Sequence, residues 1–219
     1  GIGGFGGASD PADLVNRRPQ LMEWAIGKGY DRFMEGTGKQ VMPGEKLSWD
    51  QHLHAAGEEV TGGSEIGLWF YPKGQEPKKR SYLIGFTGLK NGPGALDIPP
   101  NQISHTEGFT VLRENARIES YQPHMHLRGK SFRYEAHYPD GKKEILLDVP
   151  RYDFAWQQTS ALKEPKRLPA GTKIHCVAHY DNSAENVANP NPDRIVHWGE
   201  QTWDEMLMWV NPSSPAMVE

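Results

Sequence analysis

Two histidines one residue apart, His124-Met125-His126, are the residues of this chain whose type and spacing most directly suggest chemistry. Side chains alternate with a period of two on an extended strand, so both imidazoles would face one side and form half of a transition-metal site. Two imidazoles rarely hold such a metal alone. Three residues further along the chain, His179, Asp204 and Met206, offer a third ligand. A third imidazole or a carboxylate would suit zinc, whereas a thioether is a soft ligand that favours copper(I). A methionine on a hydrophobic strand is by itself more often core filler.

Other readings of the chemistry-bearing residues are weaker. A cupin would carry a carboxylate about four residues after the second histidine, and position 130 is Lys130. Asp181-Asn182-Ser183 and Asp204-Glu205 lack the alternating oxygens of a calcium loop. No Gly-x-Ser-x-Gly elbow is present. His175 and His179 share a face at strand spacing, but their apolar flanks point to packing or hydrogen bonding. His105 and His197 read as structural, and His137, next to a hairpin turn, as exposed.

The elements that must position the pair are strands. Twenty-four glycines and 17 prolines among 219 residues indicate short strands and many turns, with one amphipathic helix expected over 11–25. Residues 1–7 read as a glycine-rich loop and Met42-Pro43-Gly44 as a turn. Strands are expected over 47–53 and 65–71, then over 109–112, 116–122, 124–128, 131–138, 143–149, 154–159, 173–180, 194–198 and 205–210. Pro139-Asp140-Gly141 and the 168–172 stretch are turn signals. Pro99-Pro100 suggests a boundary near 95/96. This is the pattern of an all-β chain built from antiparallel sandwiches.

A net charge of −4 argues against general nucleic-acid binding. The single cysteine, Cys176, excludes an internal disulfide. No stretch approaches the roughly 20 apolar residues of a membrane-spanning helix.

Seven blocks in fixed order carry a more specific signal. They are PHMHLRGK from Pro123, YPDG from Tyr138, LLDVP from Leu146, YDFAWQ from Tyr152, LPAGT from Leu168, DNS from Asp181 and WGEQTWDEM from Trp198. Over about residues 96–210 the chain resembles the catalytic domain of the ascorbate-dependent type II copper monooxygenases, the peptidylglycine alpha-hydroxylating and dopamine beta-monooxygenase family, and its bacterial members most of all. The resemblance implies tandem jelly rolls: an incomplete first one over 1–95, and a second over 96–219 that carries the catalytic copper. It implies His124, His126 and Met206 as ligands of an oxygen-activating copper that hydroxylates a substrate C–H bond.

In that family a second, electron-relay copper takes an adjacent histidine pair and a third histidine in a Leu-x-x-Gln-x-His-Tyr block. The matching stretch is Leu47-Ser48-Trp49-Asp50-Gln51-His52-Leu53, so the resemblance assigns the third ligand to His52, with Asp50 and Leu53 departing from the pattern. His54 is the alternative, two residues on. No histidine precedes His52, so the pair is expected upstream of Gly1 in a longer protein, or the chain holds one copper or none. The resemblance further implies a periplasmic or extracellular address, a reductant such as ascorbate or a cytochrome, and a small-molecule or peptide substrate. A partner subunit or an upstream electron-donor domain completes the expectation. The contrasting expectation is a non-catalytic structural or interaction subunit with a vestigial site.

Overall fold

The computed structural model describes residues 21–53, 55–86 and 96–215. It has an all-β architecture, with no helix among the described residues. Two four-stranded antiparallel sheets dominate. The first has the order β5 (Ile103–Val111), β10 (Lys173–Asp181), β7 (Gly129–His137), β8 (Lys143–Val149). The second has the order β3 (Tyr82–Phe86), β12 (Met208–Pro215), β6 (Ala116–His124), β9 (Ser160–Leu168). Short two-residue pairs, β1 (Thr37–Gly38) with β2 (Lys79–Arg80) and β4 (Asp97–Ile98) with β11 (Val196–His197), complete the ladders.

The core lies between the sheets and follows the period-two pattern of the strands. Phe132, Tyr134 and Ala136 of β7 and Ile174, Cys176, Ala178 and Tyr180 of β10 face inward against Ile118, Tyr121 and Leu168 of the other sheet. Tyr121 and Tyr134 meet across the sandwich with ring centroids 5.0 Å apart. Cys176 is free and sealed in this core, where burial pushes its thiol far above the range of a reactive thiolate. Residues before 96 also belong to the structure: β3 is an edge strand of the second sheet, on β12. Among the described residues no helix is long and apolar enough to cross a membrane.

The hairpin at Pro139-Asp140-Gly141 forms as expected, Gly141 taking φ +87° and donating to Tyr138 O at 3.0 Å. The expected strand over 143–149 is β8. The strands expected over 47–53 and 65–71 are absent, and Leu53, Trp69 and Phe70 stand exposed. Neither segment has a partner strand among the described residues, and a strand without a ladder leaves its backbone donors to solvent. The strand expected over 154–159 is a turn instead, because the Asp153 carboxylate caps Ala155 N at 2.8 Å and Trp156 N donates to Asp153 O. A strand that composition did not suggest, β9, follows it and contains Pro165. The loop at 1–7, most of the expected helix at 11–25 and His54 lie outside the described residues; residues 21–25 form no helix.

Gly129 opens β7 directly behind the histidine pair. A Cβ there would lie 2.8 Å from both Met125 Cβ and Tyr152 Cδ1. Overpacking of this kind costs about 1–3 kcal/mol. Gly129→Ala is therefore expected to lower stability by about that amount in urea unfolding, whereas Gly62→Ala, which meets nothing within 4 Å, should leave the midpoint close to that of the parent.

Candidate metal centre

β6 ends at His124, and the chain turns over 125–128 before β7 begins. The expected strand over 124–128 is thus corrected to a strand end and a turn, closed by Gly129 N donating to His126 O at 3.1 Å. A buried carboxylate replaces the missing ladder. Glu205 accepts from His126 N at 2.8 Å and from Arg128 N at 2.6 Å.

Met125, between the histidines, is fully buried in the core. Tyr152 clamps its backbone, the hydroxyl donating to Met125 O at 2.7 Å and accepting from Met125 N at 3.1 Å. The imidazoles of His124 and His126 lie with centroids 5.3 Å apart and planes at 85°. Each is oriented through Nδ1. His124 Nδ1 lies 2.6 Å from Gln157 Oε1, and Gln157 Nε2 donates to Phe154 O, which fixes the amide with its oxygen toward the ring. Gln157 is held in turn by its own N–H on Ile26 O, from a segment in which Gly27 approaches Ala155 and Trp156. His126 Nδ1 faces Asp204 O at 3.2 Å. Carbonyl oxygens only accept, so both neutral rings carry the proton on Nδ1 and the lone pair on Nε2.

Met206 enters the same corner. It is 8% exposed, and its N donates at 3.3 Å to the Glu205 oxygen that also takes His126 N. Its carbonyl accepts from Tyr180 OH at 2.9 Å. Two residues later Met208 pairs with His124 in the β12–β6 ladder. The backbones of His124, His126 and Met206 therefore meet at one corner of the sandwich. Of the other candidates, Asp204 offers His126 its carbonyl and turns its carboxylate toward Arg194 at 3.6 Å. His179 stands on the outward face of β10, 3.0 Å from Ser131 Oγ.

His52 lies on an irregular segment, exposed, with Nε2 3.7 Å from Asp50 Oδ1. It touches none of the other three, yet it contributes a small repulsion to the proton affinity of His126. Among the described residues, the one cluster of three His, Cys, Asp or Glu ligand atoms lies elsewhere, at Glu135, His137 and His175. His137, expected to be exposed, has only 18% of its side chain accessible because Glu135 accepts from it across the strand face. No sequence spacing links residues 135–137 with 175; the β7–β10 register does.

The electrostatics of the corner are set by burial. Desolvation lowers His126 to about 4, helped by His124 and opposed by the carbonyls of Asp204 and Gln201. Desolvation raises Glu205 to about 8, against three N–H donors and the nearby Arg128 guanidinium. Arg128, 1% exposed, is satisfied by neutral acceptors: Asn182 Oδ1 at 2.7 Å, Trp203 O at 2.9 Å and Asn191 O at 3.4 Å.

These values dictate a pH profile for the metal-free protein. Glu205, raised on folding, adds stability that is present at low pH and lost as pH rises toward 8, at about 1 kcal/mol per unit above pH 6.5. His126, lowered on folding, adds stability that is present above pH 6.5 and lost as pH falls toward 4, opposing Glu205 there. Urea unfolding should accordingly show stability declining from pH 6.5 to 8. Glu205→Gln should flatten that decline, and an unchanged slope in the variant would refute the assignment.

Neither the scan against protein-family models nor the search of curated proteins returned a match for this chain.

Proposed function

We propose that the corner formed by His124, His126 and Met206 binds copper and that the chain is a copper-dependent monooxygenase domain. The observation that carries the reading is the shared Glu205 oxygen, which ties His126 and Met206 together while both imidazoles are committed through Nδ1. Orienting each ligating imidazole through a hydrogen bond at its other nitrogen is how proteins prepare histidines for a metal. Two imidazoles and a thioether form a donor set suited to a copper that cycles between Cu(I) and Cu(II). His124 and His126 would hold it through Nε2 and Met206 through sulfur. Bound there, copper supplies dioxygen activation for insertion of one oxygen atom into a substrate C–H bond.

The chain's own residues prepare that chemistry. Gln157 and the Asp204 carbonyl keep both Nε2 lone pairs available, and the low proton affinity of His126 keeps its ring neutral at physiological pH. Arg128 and Asn182 brace the turn from behind through a network that reaches Pro99 O and Arg194 O. Ascorbate or a cytochrome would serve as reductant, and a periplasmic or extracellular setting agrees with the seven resembling blocks. The jelly-roll division at 95/96 and a role for His52 in an electron-relay site belong to the same proposal.

A second reading is favoured by the place of His52, which lies exposed on an irregular segment, 3.7 Å from Asp50 Oδ1, and belongs to no cluster of three His, Cys, Asp or Glu ligand atoms among the described residues. In that reading the domain is a structural or interaction subunit with a single copper. The two part on turnover: oxygen consumption with reductant and copper by the full-length protein supports the enzyme, and copper binding without it supports the subunit.

Metal analysis after copper loading tests the site itself. Met206→Ile and His124→Ala should each abolish stoichiometric copper, and retention in both variants would sink the ligand set. Gln157→Leu should leave the fold intact but weaken copper binding by about 10–100-fold, because it frees the His124 ring.

A further inference from the structure

The outward face of the first sheet holds a separate group of ligands. His175 on β10 stands opposite Glu135 on β7 in the ladder, and His137 lies two residues further along β7 on the same face. The potential ligand atoms of the three all lie within 4.8 Å of one another. His137 Nε2 is 3.0 Å, and His175 Nδ1 3.7 Å, from the same Glu135 oxygen. The two rings are 5.1 Å apart. Tetrahedral zinc with bonds of about 2.0–2.1 Å needs ligand atoms roughly 3.3 Å apart, and these two separations bracket that value.

His175 distinguishes this group from an ordinary surface ion pair. Its Nε2 lies 3.1 Å from Glu107 Oε2 on β5, and a carboxylate can only accept, so Nε2 carries the proton. Nδ1 of the neutral ring is then a bare lone pair. It is sealed from solvent and has no hydrogen-bond partner, yet it faces the Glu135 carboxylate. A lone pair set against a carboxylate oxygen calls for a cation between them. Either a second proton or a metal can fill that role, and a second imidazole at the same carboxylate favours the metal. Glu107 then acts as the positioning partner that fixes the tautomer of a metal-binding histidine.

We infer that Glu135, His137 and His175 form a site for a borderline divalent transition metal of the zinc(II) class. Its donors are two nitrogens and one oxygen, with no sulfur, so it selects a harder ion than the His124, His126 and Met206 corner does. It is also distant from that corner. Gly129, at the start of β7, adjoins the histidine turn, and Glu135 lies six strand residues further, roughly 20 Å at about 3.3 Å per residue. The two sites share no ligand, and the inference does not depend on the copper reading.

Isothermal titration of the whole metal-free chain with zinc chloride near pH 7.5 tests it. The expected result is one zinc equivalent at micromolar affinity or better that survives in Met206→Ile and weakens at least tenfold in both His137→Ala and His175→Phe. Cobalt(II) added to the unmutated chain should give visible bands of tetrahedral intensity that zinc displaces, a readout that needs no variant to fold. The inference is overturned if zinc uptake disappears in Met206→Ile, if it is unchanged in both cluster variants, or if cobalt gives only the spectrum of the hydrated ion.

Discussion

One fully buried carboxylate organises the corner on which the functional reading rests. Glu205 takes N–H groups from His126, Arg128 and its own neighbour Met206, and so replaces the ladder hydrogen bonds that the chain gives up when it leaves β6. The exchange is physically necessary, because buried backbone donors without partners cost more than most contacts return. It also decides geometry. A strand would have carried 124–128 onward in the sheet; two of its N–H groups gathered on the Glu205 side chain hold it in a turn, and the third donor, Met206 N, fixes where His126 sits relative to Met206.

Around that carboxylate the structure is layered by which groups can move. Met125 and Tyr152 anchor the turn to the core from below, Gln157 and the Asp204 carbonyl align the rings at the side, and Arg128 is spread over neutral acceptors behind. The arrangement keeps ring nitrogens available by committing everything around them. On the opposite sheet the logic differs. There the ligating groups stand on regular strands, brought into register by ladder pairing alone, and the orienting partner is another side chain on the neighbouring strand.

The sequence was legible where local chemistry matched the pairing that the fold supplies. The hairpin at 139–141 and the strand over 143–149 follow from turn residues and alternation; that 124, 126 and 206 belong together is implied only by the family resemblance of the ordered blocks. It was misleading where the deciding partner lay far away. The segments holding Leu53, Trp69 and Phe70 suggest strands by their apolar residues, but among the described residues no strand pairs with them. Pro165 and the charges around it disguised β9, which tolerates them because it is the outer strand of its sheet and a missing donor can face away from the ladder. Asp153 overrode the apolar run after it by capping the next turn. The Glu135, His137 and His175 group was invisible for the same reason, since register between β7 and β10 is a tertiary fact.

The adjacency of β12 and β6 bears on the timing of assembly. His124 ends one strand and Met206 leads into its neighbour, while the fastening carboxylate lies 79 residues beyond His126. Contacts of such separation close late, after the cost of joining a long loop has been met. During synthesis the histidine turn therefore emerges without the residues that shape it, and two of the three proposed ligands, His124 and His126, exist before Met206 is made. A metal bound at this corner would thus report that the segment carrying Met206 has docked against the histidine turn.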